Sequence, residues 1–120
     1  MTTRRRVLVV DDDASIRQFL RVALTDRGYD VVSAEHGQEA LDAIQQNPPD
    51  LILLDMRMPV MDGWAFAAAY RERPEPRAPV VVLTAARDAA QYAAEIQAAA
   101  FLAKPFDLRS LLRVIAELVG

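Results

Sequence analysis

The stretch VLVVDDDASIRQFL, residues 7–20, joins an apolar run to three consecutive aspartates and then to a helical pattern. Two carboxylates about 4 Å apart repel by roughly 4 kcal/mol at an effective dielectric near 20. Asp13 stands where it can cap the following helix, because a helix N-terminus favours negative charge. Asp11 and Asp12 have no such explanation, so we expect a positively charged partner to offset their repulsion.

Apolar runs of strand length alternate with amphipathic helical patterns along the whole chain. The runs are VLVV (7–10), VVSA (31–34), LILL (51–54), VVVL (80–83) and AFLA (100–103). Strands that are apolar on both faces are typical of a parallel sheet covered by helices on both sides. We therefore predict one α/β domain over residues 1–120, a doubly wound five-stranded parallel sheet with five helices in the flavodoxin-like order 2-1-3-4-5.

Turn and capping residues mark where several of these helices begin and end. Gly28 is placed to end the first helix, and Asp107 is a candidate N-cap for the last one. The fourth helix is predicted from about residue 88 to residue 97, in an alanine-rich stretch. Gly63 is expected to allow the turn into the third helix.

Composition excludes several classes of protein. The 120 residues are 52% hydrophobic and include no cysteine, which leaves neither a disulfide scaffold nor a thiol site. No signal peptide or membrane-spanning run is present, which favours a soluble cytoplasmic protein without membrane contact. A net charge of −3 argues against direct nucleic-acid binding by this chain. The short basic cluster at residues 4–6 is interpreted as a solvated strand entry.

Polar residues follow most of the predicted strands where each strand ends. In an open parallel sheet, binding sites form at the carboxyl ends of the strands, beside the point where strand order reverses. Three carboxylates and one ammonium at such a point suit a hard cation such as Mg²⁺. The alternative is that the aspartates are only capping and solvated residues. The strand-end residues are Asp11, Asp12, Asp55, Thr84 and Lys104.

Four segments, VLVVDDDASIR, LILLDMRMPVMDG, VVVLTA and FLAKPF, resemble in order and spacing the receiver domain of two-component response regulators. The resemblance covers essentially the whole chain. It implies that Asp55 is the phospho-acceptor and that Lys104 helps to neutralise the phosphoryl oxygens. For Mg²⁺, it implies Asp12 as a direct ligand and Asp11 as a ligand through water. It also includes Asp55 and the backbone carbonyl of Arg57 in the metal site.

The same resemblance implies a conformational switch. Thr84 is similar to the hydroxyl residue that moves to bond the phosphoryl group, and Phe101 to the aromatic that turns inward afterwards. Phe101 could also be an ordinary core aromatic. Lys104 and Pro105 are expected to be joined by a cis peptide, which would aim the lysine inward.

A receiver domain of this kind accepts its phosphoryl group from a histidine kinase or a histidine phosphotransfer protein. It then acts on a downstream protein or output domain through the face formed by helix 4, strand 5 and helix 5. The chain is therefore expected to be a signalling protein that assists its own phosphorylation and dephosphorylation, and not a turnover enzyme.

Some residues depart from the family pattern or have simpler explanations. The family usually has glycine and acidic residues before the aromatic of strand 5, whereas residues 97–100 read QAAA. Arg57 and Ala86 stand where the family tunes the access of hydrolytic water. Trp64 is interpreted as a packing residue, and His36, the only histidine, is given no functional role.

Three other interpretations of the sequence are weighed against the receiver domain. Asp11, Asp13 and Ser15 satisfy the DxDx(S/T) signature of haloacid-dehalogenase-type phosphatases, but the chain offers neither the flap insertion nor the later acidic pair of that fold. A flavin site is set aside because three aspartates would repel a flavin phosphate. An interaction module that never takes phosphate is the remaining alternative. Since the chain ends just after its last helix, it is expected either to act alone or to come from a longer regulator.

Overall fold

A computed structural model of the protein describes residues 4–120, and it shows a five-stranded parallel sheet in the order β2-β1-β3-β4-β5. Four of the five observed strands are one or two residues longer than the apolar runs that predicted them. The predicted fold and strand order are confirmed. The strands are β1 (Arg6–Val10), β2 (Asp30–Ala34), β3 (Leu51–Leu54), β4 (Val80–Ala85) and β5 (Ala100–Lys104).

Four helices connect the strands, a fifth follows β5, and together they cover both faces of the sheet. They are α1 (Ala14–Asp26), α2 (Gly37–Gln46), α3 (Gly63–Arg71), α4 (Ala89–Glu95) and α5 (Leu108–Val119). Among residues 4–120, none of these helices has the length and apolar character needed to cross a membrane.

The predicted end of α1 and the predicted start of α5 are confirmed. Asp107 Oδ1 accepts a hydrogen bond from the Arg109 amide at the start of α5. Gly28 follows the end of α1 with φ at +92°, a left-handed conformation that glycine adopts without strain. The prediction for α4 was too long, because this helix begins at Ala89 and ends at Glu95.

The sheet divides the apolar interior into two cores, because successive side chains of a strand point to opposite faces. On one face, Val7 and Val9 of β1 pack with α1 and α5. On the other face, Leu8 and Val10 pack with α2, α3 and α4. Both faces of every central strand are thus buried, which explains the continuous apolar runs in the sequence.

Candidate functional site

The carboxylates of Asp11, Asp12 and Asp55 meet at the carboxyl ends of β1 and β3. These strands are hydrogen-bonded neighbours in which Val10 lies opposite Leu54, so the residues that follow them emerge side by side. One ligand oxygen from each carboxylate lies within 4.8 Å of the others. Asp11 and Asp55 are buried, whereas Asp12 is exposed to solvent.

Lys104 brings the positive charge that the aspartate run required. Its ammonium Nζ lies 2.8 Å from Asp11 Oδ2 and 3.7 Å from Asp55 Oδ1. Lys104 is the last residue of β5, and a cis peptide joins it to Pro105, as expected. Groups from the first, third and fifth strands therefore converge on one point.

One ammonium does not neutralise three carboxylates. Burial, and then the charge of Asp11, raise the pKa of Asp55 to about 6, although Lys104 acts in the opposite direction and Asp12 adds a further increase. This excess of negative charge, on oxygen donors only, fits a divalent cation such as Mg²⁺. The residues present therefore suit the ion that the sequence predicted.

Asp13 belongs to the helix and not to the carboxylate cluster. Its Oδ1 accepts hydrogen bonds from the amides of Ser15 and Ile16, at 2.8 and 3.3 Å, and so caps α1. Its own amide donates to Asp11 Oδ1 at 2.9 Å, which fixes the orientation of that buried carboxylate. The three consecutive aspartates thus divide into two site residues and one capping residue.

Thr84 and Phe101 lie on the face of the sheet that carries α4. In the parallel pairing of β4 with β5, Val82 lies opposite Phe101 and Thr84 opposite Ala103. Val82 belongs to the core beneath α4, and alternation places Thr84 on the same side. Thr84 is buried, but Phe101 is 47% exposed. The alternative that Phe101 is an ordinary core aromatic is therefore wrong.

Arg57 and Trp64 form an aromatic cluster with α4 that the sequence did not reveal. The Arg57 guanidinium lies 5.6 Å from the centre of the Trp64 ring and 5.4 Å from that of Tyr92. The indole Nε1 of Trp64 also donates to Glu95 Oε1 at 2.8 Å. Trp64 is a packing residue, as predicted, with this polar contact in addition.

Gly63 has a role different from the predicted one. A Cβ at this position would lie 2.7 Å from Met56 Cα, closer than real Cβ atoms come, and 3.1 Å from the Asp55 carbonyl oxygen, closer than in most real Cβ contacts. The glycine is needed because α3 begins against the backbone that follows β3. It thereby keeps the loop after Asp55 tightly folded.

Two more residues near the site were given no role from sequence. Arg17 Nη1 donates to the carbonyl oxygen of Asp11 at 2.7 Å and so holds the end of β1 against α1. His36 caps α2, its Nδ1 accepting from the Glu39 amide at 3.2 Å. No spacing in the sequence indicates the first contact, which joins residues six positions apart across the start of α1.

Comparison with known protein families matches residues 7–116 to the response regulator receiver domain. Response regulator MprA of Mycobacterium sp. (strain KMS) is 42% identical over 109 residues, which are 89% of this chain and 47% of that protein. The probable transcriptional regulator ycf27 of Guillardia theta is 37% identical over 113 residues, 92% of this chain and 44% of that protein. The chain thus spans less than half the length of these curated relatives.

Among solved structures, the chemotaxis response regulator CheY4 of Vibrio cholerae is similar to this chain with a TM-score of 0.87 and 36% identity. The likeness covers 97% of this chain and 99% of that one. The family match covers most of the described residues and includes β1, β3, β4 and β5, from whose ends the site is built. The chain belongs to the response regulator receiver domain family, the signalling domain of two-component systems.

Proposed function

We propose that this chain is a phosphorylation-dependent switch in which Asp55 accepts a phosphoryl group from a phosphohistidine. The position of Asp55 carries the proposal: it follows a central strand, is only 8% exposed, and has the Lys104 ammonium 3.7 Å away. The donor is a histidine kinase or a histidine phosphotransfer protein. The chain assists its own phosphorylation and dephosphorylation without being a turnover enzyme.

In the proposed transfer, a carboxylate oxygen of Asp55 forms a bond to phosphorus on the side opposite the leaving group. The phosphorus–nitrogen bond of the phosphohistidine breaks, and the imidazole nitrogen keeps the electron pair. Lys104 is placed to stabilise the negative charge on the phosphoryl oxygens, and such electrostatic stabilisation supplies most of the catalysis in phosphoryl transfer. The product is an acyl phosphate on Asp55.

Asp11, Asp12, Asp55 and the backbone carbonyl of Arg57 are the groups proposed to hold Mg²⁺. When bound, the ion neutralises charge on the phosphoryl oxygens. Asp12 is solvent-exposed and suits direct coordination of a partly hydrated ion, whereas Asp11 already accepts hydrogen bonds from Lys104 and Asp13. Those two bonds favour the predicted contact of Asp11 through water.

The proposed output is a change of the face formed by α4, β5 and α5. Thr84 and Phe101 point to the α4 side of the sheet, and Phe101 is half exposed, as the outward position of a switch residue requires. A phosphoryl group shifts the balance of two conformations only by contacts that differ between them. The hydroxyl of Thr84 is the group proposed to make that contact.

An apolar groove beside the site supports a protein partner as the phosphodonor. It has a volume of about 460 Å³ and includes Ile16, Phe19, Pro105 and Phe106 next to Lys104. Phe19 is 51% exposed. Because the groove is continuous with Lys104, we propose that the histidine-bearing protein docks there while its phosphohistidine reaches Asp55.

The proposal has four further parts, of which family membership supports the first two and the net charge of −3 supports the absence of nucleic-acid binding. They are a cytoplasmic location, a downstream protein or output domain that contacts the α4-β5-α5 face, no direct nucleic-acid or membrane binding by this chain, and a single domain over residues 1–120.

Intact-mass measurement after incubation with Mg²⁺ and acetyl phosphate tests the proposal. The wild type should gain the mass of one phosphoryl group, and Asp55→Asn should gain none. Asp13→Asn is a matched control that removes a neighbouring charge, keeps a capping side chain and should still be labelled. Equal labelling of Asp55→Asn would place the nucleophile elsewhere, and steady hydrolysis of phosphate esters would favour a phosphatase. No adduct under any condition would favour an interaction module.

A further inference from the structure

The side chains of Arg57, Trp64 and Tyr92, here named the Arg57 clamp, join the loop after β3 to α4. The Arg57 guanidinium lies within 6 Å of both aromatic rings, and its Nη2 donates to the Tyr92 hydroxyl at 2.5 Å. The two rings meet edge to face, with 4.6 Å between their centres. Tyr92 is buried at the middle of α4, so the clamp holds this helix by its core-facing side.

The clamp begins two residues after the proposed phospho-acceptor. Two residues of extended chain span at most about 7 Å, and the arginine side chain has a comparable reach. Arg57 lies at the surface, where its flexible side chain has room to adopt another rotamer. Arg57 can thus contact either Tyr92 on α4 or a phosphoryl group on Asp55.

Phosphorylation changes which of these contacts is the stronger. In the clamp, the guanidinium donates to a neutral hydroxyl and lies near two ring faces. An acyl phosphate offers negatively charged oxygen acceptors that can bind the guanidinium through two parallel hydrogen bonds, whereas the Tyr92 hydroxyl offers a single uncharged acceptor. The contacts of Arg57 therefore differ in energy between the unphosphorylated and the phosphorylated protein, as a switch requires.

We propose that phosphorylation of Asp55 draws Arg57 out of the clamp and thereby loosens α4 from the loop after β3. This inference rests on the proposed function, since it needs a phosphoryl group on Asp55. It adds to Thr84 and Phe101 a second connection between the site and the α4-β5-α5 face. Arg57 is here a positioning residue, because it contacts the phosphoryl group only after the transfer and its proposed effect is on α4.

Two further contacts, from α3 to α4 and to its C-cap residue, serve as internal controls. Trp64 donates to Glu95, and Arg71 Nη2 donates to the carbonyl oxygen of Ile96. Neither contact involves the loop that carries Asp55 and Arg57. They should hold α4 equally with and without a phosphoryl group.

Hydrogen exchange of the α4 amides, measured with and without Mg²⁺ and beryllofluoride, tests the inference. In the wild type, exchange in α4 should become faster when the acyl-phosphate mimic binds. In Arg57→Ala, which keeps the backbone carbonyl, exchange should already be about tenfold faster in the free protein, equivalent to about 1.4 kcal/mol. Tyr92→Phe keeps the ring and should give a smaller change in the same direction.

Glu95→Gln is the matched control. It weakens the bond from Trp64 without touching Arg57, so the response of α4 to beryllofluoride should stay as large as in the wild type. Emission from Trp64, the only tryptophan, gives a second readout of the clamp. It should change on beryllofluoride binding in the wild type and much less in Arg57→Ala.

The possible failures are distinguishable. If the wild type forms neither a beryllofluoride nor a phosphoryl adduct, the proposed function fails and the clamp inference fails with it. If the adduct forms but Arg57→Ala shows the exchange of the wild type in both states, only the clamp inference is overturned. Equal effects of Arg57→Ala and Glu95→Gln would likewise assign the cluster to static packing.

Discussion

Lys104 Nζ lies 2.8 Å from Asp11 Oδ2, although 93 positions separate the two residues in the chain. Asp11 is buried, and Lys104 is the cation placed against it at the end of β5. The contact therefore ties the two ends of the sequence together at the site and permits two carboxylates to remain buried there.

Replacing Lys104 by methionine should destabilise the protein at pH 7.5 by about 1–3 kcal/mol, because a buried Asp11 loses its charged partner. The free energy of unfolding in urea, measured in EDTA, gives the value. Lys104→Arg keeps the positive charge and should recover part of the loss. A Lys104→Met variant as stable as the wild type would show that the ion pair contributes nothing net.

Asp12 and Asp13 should separate metal binding from helix capping. Asp12→Asn removes a proposed ligand charge and should weaken Mg²⁺ binding about tenfold or more in calorimetric titration. Asp13→Ala should leave Mg²⁺ affinity close to that of the wild type but cost about 1 kcal/mol of stability through loss of the cap. Equal Mg²⁺ affinities for wild type and Asp12→Asn would contradict the assignment.

Asp55 should give the metal-free protein a characteristic pH dependence. Its pKa is raised from 3.8 to about 6 in the folded protein, so between these values the native state binds a proton that the unfolded chain has released. The free energy of unfolding should therefore fall as pH rises from about 4 to about 6, and the full shift corresponds to about 3 kcal/mol.

Asp55→Asn lacks this titration and should be the more stable variant above about pH 6 in EDTA. Added Mg²⁺ should reduce the difference in free energy of unfolding between Asp55→Asn and the wild type, because the cation stabilises the ionised carboxylate of the wild type. Denaturant unfolding across pH 4–8 measures both effects, with Asp13→Asn as a control that retains Asp55. Parallel stability curves for wild type and Asp55→Asn would show that the carboxyl is not perturbed.

Replacing Gln97 by glycine should stabilise the folded protein. It follows α4 with φ at +54°, and the amides of Gln97 and Ala98 donate to the carbonyl oxygens of Ala94 and Ala93. This Schellman motif favours glycine at the position of Gln97. Gln97→Gly should raise the free energy of unfolding by roughly 0.5–1 kcal/mol, since the left-handed strain disappears. Gln97→Ala keeps that strain and should show no gain.

Gln97 also shows where sequence reasoning reaches its limit. Residues 97–100 depart from the family pattern, but their sequence does not reveal a helix end with a left-handed residue. Alanine favours helix at every position of the stretch, so propensity does not mark the end of α4 after Glu95. Only the pairing of β5 with β4 decides where that helix must stop.

The strands and the ends of the sheet are predictable from sequence because the change from buried to polar residues marks them clearly. Leu51–Leu54 is apolar throughout because both faces of β3 are buried, and the first polar residue after it is Asp55. The parallel topology then brings Asp55 to Asp11 without any further information. The contact of Arg57 with Tyr92, by contrast, joins a loop to a helix 35 positions away, and no periodicity in the sequence records it.

The division of the interior into two cores limits how far the proposed signal at Asp55 would spread. α4 packs only into the core that it shares with α2 and α3, whereas α1 and α5 pack into the core on the other side. A movement of α4 can therefore repack one layer while the opposite layer keeps the sheet intact. The free energy of the proposed switch is then set by a fraction of the domain, which would let the protein respond to phosphorylation without approaching its unfolding transition.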